Sequence, residues 1–273
     1  MTTPSATDED VGPEHDFGLT RLVVPVGDER ATVYVRESNG PVVLAMQGGY
    51  TDAVGDFGPL VSSLDVRLSL YFPMLRGHGG KLVAVEGSAV GPVTVADDMV
   101  GLAAALRLER PVLGGFSLGG RAAMLAATRT GASALVLLGA RFSGFGREEF
   151  DVMESLVFRF SPHRAEAEWN VTRRAMDRGI VDFEIDPESW AAEVGDLPVL
   201  LLRGDRDRVS TPEQMQLYLD HLPNVRLVTL DGHGHRLMDT APAETSQAIN
   251  QFLHDVLLVD GRAPTERRSR TSS

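Results

Sequence analysis

A serine hydroxyl attacks a carbonyl only when a positioned base takes its proton. This chain frames one serine for that task. Ser117 sits in Gly115-Phe116-Ser117-Leu118-Gly119, directly after the apolar run Pro111-Val112-Leu113-Gly114. The spacing predicts a strand that turns sharply into a helix with the serine at the apex. Glycines fit on either side because a Cβ there would collide with the neighbouring strand or helix. Such a turn holds the hydroxyl out in a pocket and aims the Leu118 N–H at the same point. The base and the carboxylate that orients it must come from elsewhere. Two stretches offer them, each just past an apolar run. Pro198–Leu202 leads into Gly204-Asp205-Arg206-Asp207, and Val225–Leu230 leads into Asp231-Gly232-His233-Gly234-His235. The chain order is serine, acid, histidine, an order in which nucleophilic acyl-transfer sites are built.

Those groups need a scaffold that brings three distant loops together. Leu22–Val26 and Ala31–Val35 alternate around Gly27-Asp28-Glu29 and predict an antiparallel hairpin at a sheet edge. Val42–Met46, Leu68–Phe72, Pro111–Gly114, Ala134–Leu138, Pro198–Leu202 and Val225–Leu230 are continuous apolar runs, as in strands buried on both faces. Helical patterns fall between them at Val95–Leu106, Leu118–Ala127, Pro212–His221 and Glu244–Leu257. Strands alternating with helices predict an α/β fold, a mostly parallel, doubly wound sheet covered on both faces. Sites in such sheets form past the carboxyl ends of the strands, where all three loops lie. Residues 141–195 break the alternation. They hold helical patterns and an aromatic set (Phe142, Phe145, Phe150, Phe158, Phe160 and Trp169) and predict a cap over the pocket. The expected division is therefore a core of 17–140 and 196–258, a cap of 141–195, and disordered tails at 1–16 and 259–273.

Composition narrows the possible partners. A net charge of −12 over 273 residues argues against nucleic acid, because phosphate binding needs a basic face. The chain has no cysteine, so thiolate metal sites and cysteine nucleophiles are excluded. No apolar run reaches membrane-spanning length, and the first residues lack a signal-peptide pattern, so a cytoplasmic location without membrane contact is expected. The acidic segment 1–16 and the arginine-bearing segment after 259 read as solvated tails. The arginines of the cap, Arg141, Arg147, Arg159, Arg164, Arg173, Arg174 and Arg178, are matched by acids between 148 and 177. A solvated, salt-bridged surface is the expectation for them rather than an anion site.

The motifs together resemble the α/β-hydrolase superfamily, in its compact bacterial form with a small helical cap, over residues 20–258. Arg76-Gly77-His78-Gly79 resembles its R-G-H-G turn, Asp98 with Glu109-Arg110-Pro111 the lead into the serine turn, and Gly232-x-Gly234-His235 its G-x-G-H loop, followed by Pro242. Gly204 with Asp207 matches its G-x-x-D loop, which continues with Ser210 and Pro212. The resemblance implies a catalytic triad of Ser117, Asp207 and His235. It leaves Asp205 as a solvated loop charge, His233 as a loop neighbour and His78 as a hydrogen-bonding residue of its own turn. It also implies an oxyanion hole of two backbone N–H groups, those of Leu118 and Gly49. Two positions depart from the family pattern: Gln47 stands where a histidine is usual, and Leu75 where an aspartate is common. Gln47 either anchors its loop or faces substrate, and Tyr50 either walls the pocket or packs.

The implied chemistry is acyl transfer to water. The substrate would be an ester, thioester or lactone of an apolar small molecule, needing neither metal nor organic cofactor. The substrate-binding candidates are Gln47, Tyr50, Phe116, Phe142 and Phe145, though the cap aromatics would equally form the cap's own core. Two alternatives use the same site: a non-hydrolytic enzyme of this fold performing transfer, cyclisation or lyase chemistry, and a ligand-binding receptor.

Overall fold

The computed structural model describes residues 17–80, 82–158 and 169–258. Both tails, and Phe160, Arg159 and Arg164 of the cap, lie outside the described residues. β1 (Thr20–Val26) and β2 (Glu29–Arg36) form the antiparallel hairpin. β3 (Val42–Met46), β4 (Ser69–Pro73), β5 (Val112–Phe116), β6 (Ala134–Leu138), β7 (Val199–Gly204) and β8 (Val225–Leu230) complete one eight-stranded sheet. Its order is β1-β2-β4-β3-β5-β6-β7-β8. β2 runs antiparallel to β4, and the rest pair in parallel, with Leu44 opposite Leu113, Leu113 opposite Leu135, and Leu201 opposite Leu227.

Period-two alternation divides the core between the two faces of the sheet. Leu44, Met46, Leu113, Leu135, Leu137 and Leu201 face one layer, with α2 (Pro92–Ala105), α3 (Leu118–Thr130), α6 (Pro187–Val194) and α7 (Pro212–His221) packed on it. Val43, Ala45, Val112, Val136, Leu200 and Leu202 face the other, under α1 (Ala53–Val61), the short α8 (Leu237–Thr240) and α9 (Pro242–Leu258). The inner strands β4 to β7 are buried at every position. β8 is only half-buried, with Arg226 and Thr229 exposed, because it closes the sheet as an edge. The continuous apolar reading of that run was too strong.

The pattern also failed to predict α1. Its sequence, AVGDFGPLV, carries two glycines and Pro59, which count against a helix. Asp52 caps it, its side chain accepting from the Gly55 N–H at 2.6 Å, and Phe57, Leu60 and Val61 bury its apolar face. Tertiary packing thus overrides weak propensity.

Between β6 and β7 come α4 (Arg147–Phe158), α5 (Trp169–Ile180) and α6. A short parallel bridge pairs Phe145 with Val181. α5 crosses close to the start of α2, where Gly91 and Gly179 meet backbone to backbone; a Cβ on Gly91 would lie 2.0 Å from the Gly179 carbonyl oxygen. Among the described residues, no helix is long and apolar enough to cross a membrane.

Candidate active site

The serine turn forms because β5 must end where α3 begins. Ser117 takes φ 51° and ψ −109°, a strained conformation for a residue with a side chain. The flanking glycines make it possible. A Cβ on Gly115 would stand 2.3 Å from the Gly119 carbonyl carbon, and one on Gly119 would stand 2.0 Å from the Met46 carbonyl oxygen. The backbone of Ser117 is pinned at both ends: its N–H donates to the Leu138 carbonyl at 2.9 Å, and its carbonyl accepts from the Arg121 N–H at 3.1 Å.

Asp207 sits past the end of β7 with its carboxylate fully buried. His235 donates from Nδ1 to Asp207 Oδ2 at 2.9 Å, while its ring remains partly exposed. Three more donors hold the carboxylate: the N–H groups of Val209 (2.7 Å) and Ser210 (3.2 Å) on Oδ1, and the Ser210 hydroxyl on Oδ2. Burial pushes this carboxyl up. The His235 contact, the Ser210 hydroxyl and the Val209 N–H together outweigh burial and hold it down at about 2. Asp207 is therefore ionised throughout the neutral range and fixes the proton of His235 on Nδ1.

Gly139, just past β6, makes room for the imidazole. It has φ +60°, and a Cβ there would lie 2.7 Å from His235 Cε1 and 2.9 Å from Nδ1. Nothing in its local sequence marked it for this role.

Asp205 does more than carry a solvated charge. Its Oδ1 accepts from the N–H groups of Gly232 (2.7 Å) and His233 (3.1 Å), tying the loop after β7 to the loop after β8. The Arg206 N–H reinforces this by donating to the His233 carbonyl at 2.9 Å. His233 itself turns aside, with Nδ1 3.0 Å from the Thr240 hydroxyl.

The loop after β3 is held from below. Gln47 is completely buried. Its amide donates to the Thr51 carbonyl at 2.6 Å, and its Oε1 accepts from the Leu75 N–H at 3.2 Å. Gln47 therefore replaces the usual histidine as an anchor and does not line the cavity, which corrects its placement among the substrate contacts. At the other departure, Leu75 supplies this N–H and a fully buried apolar side chain. Asp56, buried in α1, accepts from the Gly48 N–H (2.8 Å), the Thr51 hydroxyl (2.6 Å) and Arg236 (3.0 Å). Burial keeps its carboxyl above the ordinary range even against the Arg236 charge and these donors. His78 Nε2 accepts from the Tyr50 N–H at 2.9 Å, and its Nδ1 lies 3.0 Å from the Arg76 carbonyl oxygen. That pairing puts the His78 proton on Nδ1 and braces Tyr50, which takes φ 65°.

These loops surround a cavity of about 730 Å³, counted with its open mouth. Ser117, His235, Gly49 and Leu118 all line it, together with Tyr50, Phe116 and Phe145. Met176 and Ile180 reach it from α5. The Phe116 ring lies 4.7 Å from the His235 ring. Phe142 does not take part. It is buried against Tyr218 (4.2 Å) and Trp190 (5.4 Å) in the layer beneath, so its assignment as a substrate contact is also corrected. Among the described residues the Ser117 hydroxyl has no hydrogen-bond partner.

A cavity at the carboxyl edge of this sheet, with a serine on the strand–helix turn and a histidine–carboxylate pair beside it, marks an α/β-hydrolase architecture. The family model described as "Alpha/beta hydrolase family" matches residues 48–248, and the chain belongs to that family. None of the curated proteins matches it in sequence. Solved structures do share its fold. A membrane phospholipase A, described as a bacterial virulence factor, is 23% identical with a TM-score of 0.74, over 88% of this chain and 87% of that one. A putative lipase from Acinetobacter baumannii is 19% identical (TM-score 0.72; 88% and 92% covered). A thermophilic esterase from Thermogutta terrifontis is 22% identical (TM-score 0.66; 86% and 98% covered).

Proposed function

We propose that this protein is a serine hydrolase that cleaves an ester, thioester or lactone bond of a small molecule with a largely apolar body. The observation that carries the reading is that His235, backed by the buried Asp207, lines one cavity with the strained Ser117. His235 Nε2 takes the Ser117 proton as Oγ attacks the carbonyl carbon, and Asp207 stabilises the imidazolium that forms. The Ser117–His235 hydrogen bond closes as substrate is engaged, as catalytic hydrogen bonds commonly do. The tetrahedral oxyanion is received by the N–H groups of Leu118 and Gly49. His235 then protonates the leaving group. Water, deprotonated by the same imidazole, releases the acyl group and restores the serine. Every proton moves through His235, and no cofactor takes part in these steps.

A cavity walled by Phe116, Leu118, Phe145, Met176 and Ile180 beside the serine suits a small molecule with an apolar body, and a chain of net charge −12 has no general attraction for nucleic acid or anionic lipid. The fold neighbours described as lipase and esterase support the class of bond. The test is a panel of acyl esters and thioesters, run with and without added alcohol acceptors, on wild type and Ser117→Ala. Hydrolysis that falls about 10⁴-fold or more in the variant is expected. A variant retaining a tenth of the wild-type rate overturns the reading, and acyl transfer to the acceptor in preference to water replaces hydrolysis with transfer.

A further inference from the structure

Asp56 is the one charged residue of the otherwise apolar α1, and its carboxylate is fully buried. Its oxygens are divided between two loops of the site. Oδ2 takes the Gly48 N–H at 2.8 Å and the Thr51 hydroxyl at 2.6 Å, both from the loop after β3. Oδ1 takes Arg236 Nη1 at 3.0 Å, from the loop after β8. Gly48 directly precedes Gly49, and Arg236 directly follows His235. The guanidinium is aimed by Asp239, which accepts from Nη2 at 3.1 Å and from Nε.

The Phe116 ring repeats this bridge by packing. It lies 4.7 Å from the His235 ring, and the Arg236 guanidinium carbon is 5.7 Å from its centroid. Gly48 closes on the same ring, so tightly that a Cβ there would meet Phe116 Cδ1 at 2.6 Å. The other supports do not cross between these two loops. Asp207 and Asp205 hold the histidine loop to the loop after β7. Gln47 and His78 hold the loop after β3 to the loop after β4. A buried ion pair adds little net stability over apolar side chains of the same shape. What it does supply is fixed geometry, because both charges lose their partner if either loop shifts.

We propose that Arg236 is a positioning residue: through Asp56 and the Phe116 ring it holds the loop of the base and the loop of the oxyanion hole as one unit. The proposal rests on the hydrolase reading and adds to it how the two halves of the site are kept in register. Proton transfer to His235 and charge development on the oxyanion belong to the same step, so His235 Nε2 and the Gly49 N–H must be in place together. Arginine suits the task because its rigid fork binds Asp56 with one nitrogen and Asp239 with the other two.

The experiment uses the full chain carrying Arg236→Met, Arg236→Lys, Asp56→Asn, or Arg236→Met with Asp56→Asn. Methionine keeps an apolar body over Phe116 and loses the donors. On a short-chain ester, Arg236→Met should lower kcat about 10- to 30-fold with KM within about threefold, since a shift on the order of 1 Å costs roughly 10²-fold. Arg236→Lys, which keeps the charge and one donor, should recover part of that loss; it also serves if the methionine variant fails to fold. The double variant should lie no more than about threefold below the lower single one, because both substitutions break the same link. Inhibition by pentyl trifluoromethyl ketone, whose adduct with Ser117 places an oxyanion in the hole, should weaken about as much as kcat falls, while pentyl methyl ketone binds as before. Hydrogen exchange read by mass spectrometry should quicken at least about tenfold over residues 46–51 in Arg236→Met, although the substitution lies on the loop after β8. Wild type that neither hydrolyses any ester nor binds the trifluoromethyl ketone would defeat the hydrolase reading, and exchange over 46–51 would still decide whether Arg236 holds that loop. Unchanged exchange there, losses that multiply in the double variant, or a folded Arg236→Met with kcat within about threefold of an active wild type overturns the proposal.

Discussion

Gly139 carries no chemistry, yet the active-site geometry depends on its missing side chain. An alanine there would bring its Cβ to 2.7 Å from His235 Cε1, where ordinary contacts begin near 3.4 Å. The imidazole or the strand end must then give by about 0.7 Å, the difference between those distances. Asp207 is fixed by three donors besides His235, so the ring moves against a stationary carboxylate, and its 2.9 Å contact is lost or bent. Misplacement on the order of 1 Å lowers turnover by roughly 10²-fold, so Gly139→Ala should lose about 30- to 100-fold in kcat. The φ of +60° adds a fold cost of about 1–2 kcal/mol for a residue with a Cβ. That corresponds to a fall of about 2–8 °C in Tm for a chain of this size. The assay is kcat on a short-chain ester beside thermal unfolding of the same preparation. A folded Gly139→Ala protein with kcat within threefold of wild type would refute the reasoning, because His235 would not then stand where its role requires.

Asp207→Asn should leave the fold intact and cut kcat by about 10⁴-fold, by favouring the wrong imidazole tautomer. The same variant tests acid stability. A carboxyl lowered from 3.8 to about 2 in the folded chain stabilises it by about 2 kcal/mol. That contribution is fully present above pH about 4 and lost as pH falls toward 2. Urea unfolding should therefore show a large gap between wild type and Asp207→Asn at pH 6 that narrows at pH 2.5; a constant gap would contradict the cited contacts. Asp56→Ala orphans the Gly48 N–H and one contact of Arg236. It should destabilise by about 2–3 kcal/mol and lower kcat more than it raises KM, since the Gly49 donor sits on the loop it holds. Asp205→Ala, by releasing the Gly232 and His233 N–H groups, should cost about 1–2 kcal/mol and lower kcat about tenfold; unchanged kinetics would return Asp205 to the role of a solvated charge.

The alternation of strands and helices was legible because a doubly covered parallel sheet leaves long uninterrupted apolar runs, and β3 and β6 match theirs at both ends. The loops bearing Ser117, Asp207 and His235 could be placed at one sheet edge because each follows such a run. What escaped depends on contacts between segments far apart in sequence. α1 is helical through burial of Phe57 and Leu60, which local propensity cannot register. β8 is an edge, and a run of valine and leucine does not say where the sheet ends. Asp205 is a clamp only because the loop after β8 passes over it, and that proximity also requires Gly204, whose Cβ would meet the His233 carbonyl oxygen at 2.1 Å. Gln47 was open between two roles, and only the position of Leu75 and Thr51 separates them.

The central claim is that His235 activates Ser117. Labelling with a fluorophosphonate, followed by peptide mass spectrometry on wild type and His235→Ala, tests it most directly. Rapid modification of Ser117 in wild type that disappears in the variant is the expected result. A folded wild-type protein whose Ser117 stays unlabelled, or one that labels equally without His235, would contradict it.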